Sequence, residues 1–471
     1  MCLQGGFLAR LGGRLLWYKG AMRQPPSSRP DSELLRVIGR WSMVALAVNS
    51  ILGSGIFGLP SVVAGLLGSL SPLAVLLAGC GMGVIIACYA EVASQFSETG
   101  GTYLYLRYAF GRFAGIEVAW LMLLGRLTAC AAAVNLLVVY LGEFWPQVTE
   151  PMPRLIVITA FIGTLAAVNY RGVGAGTLVG NISVLGKLAA LALVATAGVA
   201  YLALHPHAPL QVVHPGAHEW LSAMLLLLFA YGGYEAALNP MGEARDPRRD
   251  AAFALFVALV ILTVLYTLLQ YVVIAALPDA AHSERPLADV ARVILGPPGA
   301  SLIAAGALIS VYGYLSANLL TAPRGLFALA ERGDFFAFFA RVHPRFRTPY
   351  VSVLVFALLV WGFALGASFS WNVTLSAVAR LSYYAGVCVA VPVLRRRQPG
   401  AALVRLPGGP VLPSLGVLIC LALFASVDFS QSLILLATVG IAALNWLVVR
   451  GRAAATLLSD GEAQRLRGKT P

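Results

Sequence analysis

The sequence predicts an all-α, polytopic membrane protein, and three observations support that prediction. First, 59% of the 471 residues are hydrophobic and only 11% are charged, against about 25% charged residues in a soluble domain. Second, the mean hydropathy is +0.82. A chain of this length and hydropathy has more apolar side chains than one soluble core can bury. Third, unbroken apolar runs recur along the chain without the alternation of a membrane β-barrel. Disorder, a coiled coil and an ordinary soluble enzyme are therefore excluded.

Twelve apolar stretches are each close to the roughly 20 residues that a helix needs to cross a bilayer. We predict transmembrane helices at 41–67, 72–96, 113–143, 154–170, 178–204, 217–242, 251–278, 299–330, 350–368, 372–394, 410–427 and 430–450. Together they form a transmembrane domain over 41–450, between an N-terminal tail at 1–40 and a C-terminal tail at 451–471.

The distribution of basic residues predicts the orientation. With the N-terminus in the cytoplasm, 26 of the 33 lysines and arginines fall in inner segments and only three in outer loops, as the positive-inside rule requires. Twelve spans return the C-terminus to the cytoplasm. Because the basic residues are spread over every inner loop, nucleic acid is not a predicted partner. The predicted location is the cell membrane, with the lipid bilayer as surroundings.

Two of the spans are interrupted near the membrane centre. The first contains residues 51–60 (ILGSGIFGLP), and the sixth contains Gly232 and Gly233; glycine and proline weaken a helix. Paired breaks in corresponding spans of two halves mark the substrate site of a transporter. Spans one to five and six to ten would be those halves, and because five is odd they form an inverted repeat, with spans eleven and twelve additional. For either glycine cluster alone, close helix packing is the alternative explanation.

The ordered set of motifs resembles the amino acid-polyamine-organocation transporter family. The matching segments are 53–57 (GSGIF), 89–91 (YAE), 98–105 (ETGGTYLY), 229–235 (FAYGGYE), 323–324 (PR), 343–344 (HP) and 348–350 (TPY). The resemblance covers about residues 41–450. It implies the leucine-transporter-like five-plus-five inverted-repeat fold, alternating access, and amino acids or related amines as substrates.

The predicted substrate site follows from the chemistry of a zwitterion, whose carboxylate and ammonium each need a partner away from water. Backbone amides of the first break, backed by a half-helix dipole, would bind the carboxylate, and freed carbonyls of the second break would accept from the ammonium. Phe229 and Tyr231 flank the second break and would form walls, although aromatic packing between helices explains each equally well. The predicted substrate-binding residues are Gly53, Ser54, Gly55, Ile56, Phe229, Tyr231, Gly232 and Gly233.

Three ionisable residues within spans are predicted to act in coupling or gating. Lys187 in span five is a functional candidate because a lysine inside the membrane is costly. Some members of the resembling family carry lysine here, where relatives outside it bind sodium, which implies coupling to protons or exchange; a tether to carbonyls of the first helix is the structural alternative. Glu235 follows the second break and is a candidate for gating or proton exchange. Arg126 in span three departs from the family, and could bind an acidic substrate group or pair with Glu235.

Other functional classes have less support in the sequence. A membrane-embedded enzyme would need a cluster of acid, base, nucleophile or metal ligands, and the spans show no such spacing, so we predict no enzyme activity, no catalytic residue, no metal and no cofactor. A non-transporting amino acid sensor or a membrane-embedded enzyme stays open as the alternative. The predicted partners are a small-molecule substrate, the bilayer and, as candidate coupling ions, protons.

Overall fold

The computed structural model describes residues 38–98, 100–172, 177–205 and 214–467. Within them the chain forms fifteen α-helices and no β-strand. The helices are α1 Arg40–Ile51, α2 Gly55–Leu67, α3 Ser71–Ala93, α4 Gly101–Phe110, α5 Arg112–Leu141, α6 Pro151–Arg171, α7 Thr177–Leu204, α8 Ala217–Tyr231, α9 Pro247–Ala276, α10 Pro286–Leu295, α11 Pro297–Glu331, α12 Tyr350–Gly366, α13 Phe369–Arg397, α14 Val411–Phe424 and α15 Phe429–Arg467.

The prediction of an all-helical membrane protein is confirmed for this part of the chain. Within the described ranges, nine helical segments are long and apolar enough to span a bilayer, and the apolar helices α12 and α14 are shorter. The outer helices α6 and α15 bury little of their apolar surface inside the protein, whereas most of α5 is buried. This is the arrangement expected where lipid covers the outside of a helix bundle.

The termini bear on two of the predicted boundaries. Residues 1–37 of the predicted N-terminal tail lie outside the described residues. At the other end, α15 continues through the predicted boundary at 450 as far as Arg467. Alanine, leucine, arginine, glutamate and glutamine dominate residues 451–467, and these residue types favour a helix in water as well as in lipid.

The helical interruptions occur where glycine is concentrated. The predicted first span is two helices, α1 and α2, separated by Leu52, Gly53 and Ser54. The predicted sixth span is the helix α8, which ends at Tyr231, followed by a 3₁₀ turn at Tyr234–Leu238. A short backbone bridge then joins the chain before α1 to the segment after this turn: Ile38 N donates to the carbonyl of Glu243 at 3.0 Å.

Outside the spans, one buried carboxylate joins the loops at one end of the bundle. Asp334, between α11 and α12, accepts hydrogen bonds from Tyr103 and Arg107 of α4, and from Arg112 Nε at 2.6 Å. Burial, followed by the hydrogen bond to Asp334, raises the pKa of Tyr103 to about 12, so the phenol keeps the proton that it donates. Asn445 Nδ2 of α15 donates to the Asp334 carbonyl at 2.8 Å. These contacts hold four segments together at the end of the bundle.

Candidate functional site

The first break leaves peptide groups without hydrogen bonds inside the bundle. Gly53 N donates to the Ile51 carbonyl at 2.7 Å, and the first turn of α2 closes on the Ser54 carbonyl. The amides of Ser54, Gly55 and Ile56 have no acceptor among the described residues. Ser54 is also 2% exposed, and its hydroxyl has no partner in this part of the structure. Free amides at a helix N-terminus attract an anion.

The second break offers acceptors instead of donors. Gly232 N bonds to the Phe229 carbonyl at 3.1 Å, after which Gly233 turns the chain with φ +109°. Glycine is required there because φ is in the left-handed region and because a Cβ would lie 2.3 Å from the Ser50 carbonyl oxygen. The carbonyls of Ala230, Tyr231 and Gly232 accept no hydrogen bond from any described residue.

The two breaks lie directly against each other. A Cβ placed on Gly55 would be 3.0 Å from Ala230 Cα and 3.4 Å from the Phe229 ring. Gly233 similarly packs on the carbonyl of Ser50 at the end of α1. Free N–H donors of one break and free C=O acceptors of the other are therefore brought into the same small volume.

Glu235 is held by several donors just beyond the second break. Its side chain is 9% exposed, and it accepts from Gly233 N at 3.0 Å, Tyr383 Oη at 2.9 Å and Tyr384 Oη at 3.0 Å. Three hydrogen bonds stabilise the ionised form of a buried carboxylate. Both tyrosines belong to α13, so Glu235 links the second break to that helix.

Arg380 of α13 is the charged partner of Glu235. Its Nη1 lies 3.5 Å from Glu235 Oε1, and its guanidinium carbon lies 5.5 Å from the centre of the Phe229 ring. A Cβ on Gly232 would lie 2.1 Å from the same Nη1, so glycine at 232 makes room for the guanidinium. Both Nε and Nη1 are buried and have no hydrogen-bond partner among the described residues.

Lys187 lies at the first break. Its Nζ donates to the Leu52 carbonyl at 3.0 Å, and the side chain is buried. This contact is the tether to the first helix that was the structural alternative for Lys187. It also places a fixed positive charge beside a carbonyl that would accept an internal hydrogen bond in a continuous α-helix. The geometry is compatible with both roles.

Arg126 does not pair with Glu235 in the described structure, because Glu235 forms its ion pair with Arg380. Arg126 has no hydrogen bond or ion pair with any described residue. It is half-buried on α5, whereas Ala119, Cys130 and Ala133 on the same face are buried. The face of α5 that carries Arg126 is therefore mostly buried in the bundle.

The two predicted aromatic walls differ in position. Phe229 lies at the contact between the breaks and under the Arg380 guanidinium. Tyr231 instead points to α3, where its hydroxyl donates to the Val75 carbonyl at 3.0 Å. Because α8 rotates the side chain of residue 231 away from the breaks, the packing interpretation describes Tyr231 better than the wall interpretation.

Sequence reasoning missed four residues at this site. They are Tyr314, Arg380, Tyr383 and Tyr384. Tyr314 belongs to the site because its ring is the closest neighbour of a Cβ built on Gly53, at 3.8 Å. A signal for Arg380 existed, because an arginine in the middle of span ten meets the same rule that selected Lys187.

Comparisons with known proteins show which family and relatives the chain resembles. The family described as amino acid permease matches residues 38–445. The chain is 24% identical to the methylthioribose transporter of Bacillus subtilis over 423 residues, which cover 86% of this chain and 91% of that protein. It is 26% identical to the serine/threonine exchanger SteT of Bacillus subtilis over 404 residues, covering 82% and 90%. An uncharacterized transporter of Mycobacterium tuberculosis is 31% identical over 375 residues, covering 77% and 82%. The matched proteins are transporters, not enzymes.

Proposed function

Because the chain belongs to the amino acid permease family, within the amino acid-polyamine-organocation superfamily, we propose that it is a secondary active transporter of amino acids or related amines. It works by alternating access in the cell membrane. The observation that carries this proposal is the contact of Gly55 with Ala230, which brings together amides and carbonyls that have no partner among the described residues.

The substrate's two charges have separate partners in this proposal. The amides of Ser54, Gly55 and Ile56, with the Ser54 hydroxyl, bind the α-carboxylate. The carbonyls of Ala230 to Gly232 accept from the ammonium. Each interaction replaces water that the substrate loses, which is necessary because an unpaired charge in a low dielectric costs many kcal/mol. Phe229 covers the substrate from the side of the second break.

The proposed architecture has twelve transmembrane helices. The first ten form a five-plus-five inverted repeat, whose corresponding first and sixth helices carry the breaks, and the last two are additional. Both termini are cytoplasmic, because the 26 inner basic residues of this arrangement obey the positive-inside rule. The domain boundaries follow, with tails before residue 41 and after residue 450.

The proposed coupling is to protons or to exchange, not to sodium. The Lys187 ammonium donates to the Leu52 carbonyl at 3.0 Å, and a fixed cation there competes with a sodium ion for the same oxygens. Replacing sodium by choline is therefore expected to leave uptake unchanged, whereas sodium-dependent uptake would contradict this part of the proposal.

Uptake by reconstituted protein tests the proposed function. Purified protein in proteoliposomes is expected to accumulate at least one radiolabelled amino acid, and Gly55→Leu is expected to abolish accumulation because the new side chain fills the space between the breaks. Gly163→Leu is the matched control, since a Cβ on Gly163 meets nothing within 4 Å. Wild-type uptake by folded Gly55→Leu protein would refute the site.

A further inference from the structure

The charges around the two breaks do not balance. Three cationic side chains, Lys187, Arg126 and Arg380, lie at or near the breaks within the described residues, against one carboxylate, Glu235. Two further carboxylates, Glu91 and Glu117, lie near the ends of their helices, and Glu91 is paired with Arg395. Lys187 has a carbonyl as its partner. The described residues near the breaks therefore carry an excess of positive charge, which is unfavourable inside a bundle unless an anion joins it.

Glu235 does not use the hydrogen-bonding capacity of Arg380. Its two oxygens already accept from a backbone amide and two phenols at 2.9–3.0 Å. Arg380 lies farther away, at 3.5 Å, and the contact is an ion pair without a hydrogen bond from Nη1. The side chain of Arg380 is 8% exposed, with Nε and Nη1 unpartnered within the described structure. Buried polar groups normally have partners, so an absent acceptor is indicated.

Arg126 is a second guanidinium in the same region. A Cβ built on the neighbouring Gly125 would lie 4.0 Å from Arg380 Cγ. The carbonyl of Gly125 also accepts a hydrogen bond from Ser376 Oγ of α13. Arg126 and Arg380 both lie near Tyr314. Tyr314 in turn covers Gly53 of the first break. Arg380 thus borders the volume between the breaks from α13, and Arg126 lies nearby on α5.

We infer that the transported substrate carries a second acidic group, which binds between Arg126 and Arg380. This inference rests on the proposed function, and it names the substrate class of the same site: acidic amino acids. The α-carboxylate has its own donors in the first break, so a second anion is needed to satisfy the guanidinium groups. Arginine suits that role because its planar N–H groups match a carboxylate in two-point contact.

Equilibrium binding to the purified full-length chain tests this inference. L-glutamate and L-glutamine, and L-aspartate and L-asparagine, are nearly isosteric pairs that differ in charge. The acid of each pair is expected to bind about ten- to hundredfold more tightly than its amide, the range that charge-assisted hydrogen bonds supply. Equal binding, or preference for the amides, would overturn the inference.

Substitution of Arg126 adds a second readout. Arg126→Gln is expected to lower the acid-to-amide ratio toward one while amide binding is retained, and Arg126→Lys is expected to keep a reduced preference because the charge remains. Arg324→Gln is the matched control, since Arg324 is an exposed arginine of α11 that bonds to its own helix; its ratio is expected to equal the wild-type value. An unchanged ratio in both folded Arg126 variants would refute the role of Arg126.

The remaining outcomes separate this inference from the proposed function. If chloride, and not the substrate, neutralises the arginines, amides will bind well in chloride and poorly in gluconate. That result overturns the inference but does not contradict amino acid transport. If no amino acid or amine binds or is accumulated, the proposed function itself fails. Preference for acids in chloride and gluconate alike supports the second acidic group.

Discussion

The Glu235–Arg380 pair allows a quantitative test of the site's electrostatics by a double-mutant cycle. Glu235→Gln keeps the shape of the side chain but removes its charge, and Arg380→Met replaces the guanidinium by an apolar side chain of similar length. The two native side chains are 9% and 8% exposed and 3.5 Å apart. Water therefore screens their interaction only weakly.

The expected magnitude follows from this burial. Removing one member of a buried ion pair costs about 3–5 kcal/mol, because the other charge stays buried without a counterion. Glu235→Gln should be the most destabilised protein, since its amide nitrogen would replace either Oε1, which accepts from Tyr383, or Oε2, which accepts from Gly233 N and Tyr384. The double variant removes both charges and should recover about 0.5–3 kcal/mol relative to the sum of the single changes.

Thermal unfolding of the purified proteins in one detergent, followed by tryptophan fluorescence, measures the cycle. The expected order of midpoints is wild type, then the double variant, then Glu235→Gln. Additive effects of the two single substitutions would show that the two charges do not interact, and the description of Arg380 as the partner of Glu235 would then be wrong.

Two further predictions concern the breaks. Gly55→Ala should destabilise the protein by about 1–3 kcal/mol through overpacking, because its new Cβ would lie 3.0 Å from Ala230 in the second break. The Cβ of Gly53→Ala would have 3.8 Å of clearance, so this variant should unfold close to the wild-type temperature. Equal unfolding temperatures for the two variants would contradict the close contact of the breaks. Tyr231→Phe should lower stability by about 1 kcal/mol through loss of one buried hydrogen bond and leave the apparent affinity for substrate unchanged in competition assays, so a large loss of affinity would return Tyr231 to the substrate site.

Local sequence features predicted an all-helical membrane protein and the positions of the two helix interruptions. Hydropathy determines which segments enter the bilayer, and glycine with proline determines where a helix inside the bilayer is weakest. The first break at Leu52 to Ser54 and the second at Gly232 therefore lie where the residue types predicted them. The family prediction, which used several such local motifs in order, was confirmed over residues 38–445.

Contacts across the bundle could not be predicted in the same way. Tyr383 is 148 residues from Glu235 along the chain, and no periodicity within one helix indicates which helix will be its neighbour. The orientation of Tyr231 depends on how α8 is rotated when it reaches the break, and one residue of rotation changes its direction by about 100°. The sequence could therefore name the residues near the breaks but not the direction of each side chain.

A stricter use of the same physical rules would nevertheless have found Arg380. Positions 380, 383 and 384 have the i, i+3, i+4 spacing that puts side chains on one helix face, so span ten presents an arginine and two phenols together. All three can donate hydrogen bonds, and such a face inside a membrane requires an acceptor with negative charge. Among the carboxylates of the predicted spans, Glu235 is the one beside a helix break, where the backbone leaves space for a second side chain to approach. Arg126 lies on a face of alanine and cysteine without any carboxylate, and the same reasoning leads to the proposal that the substrate supplies its anion.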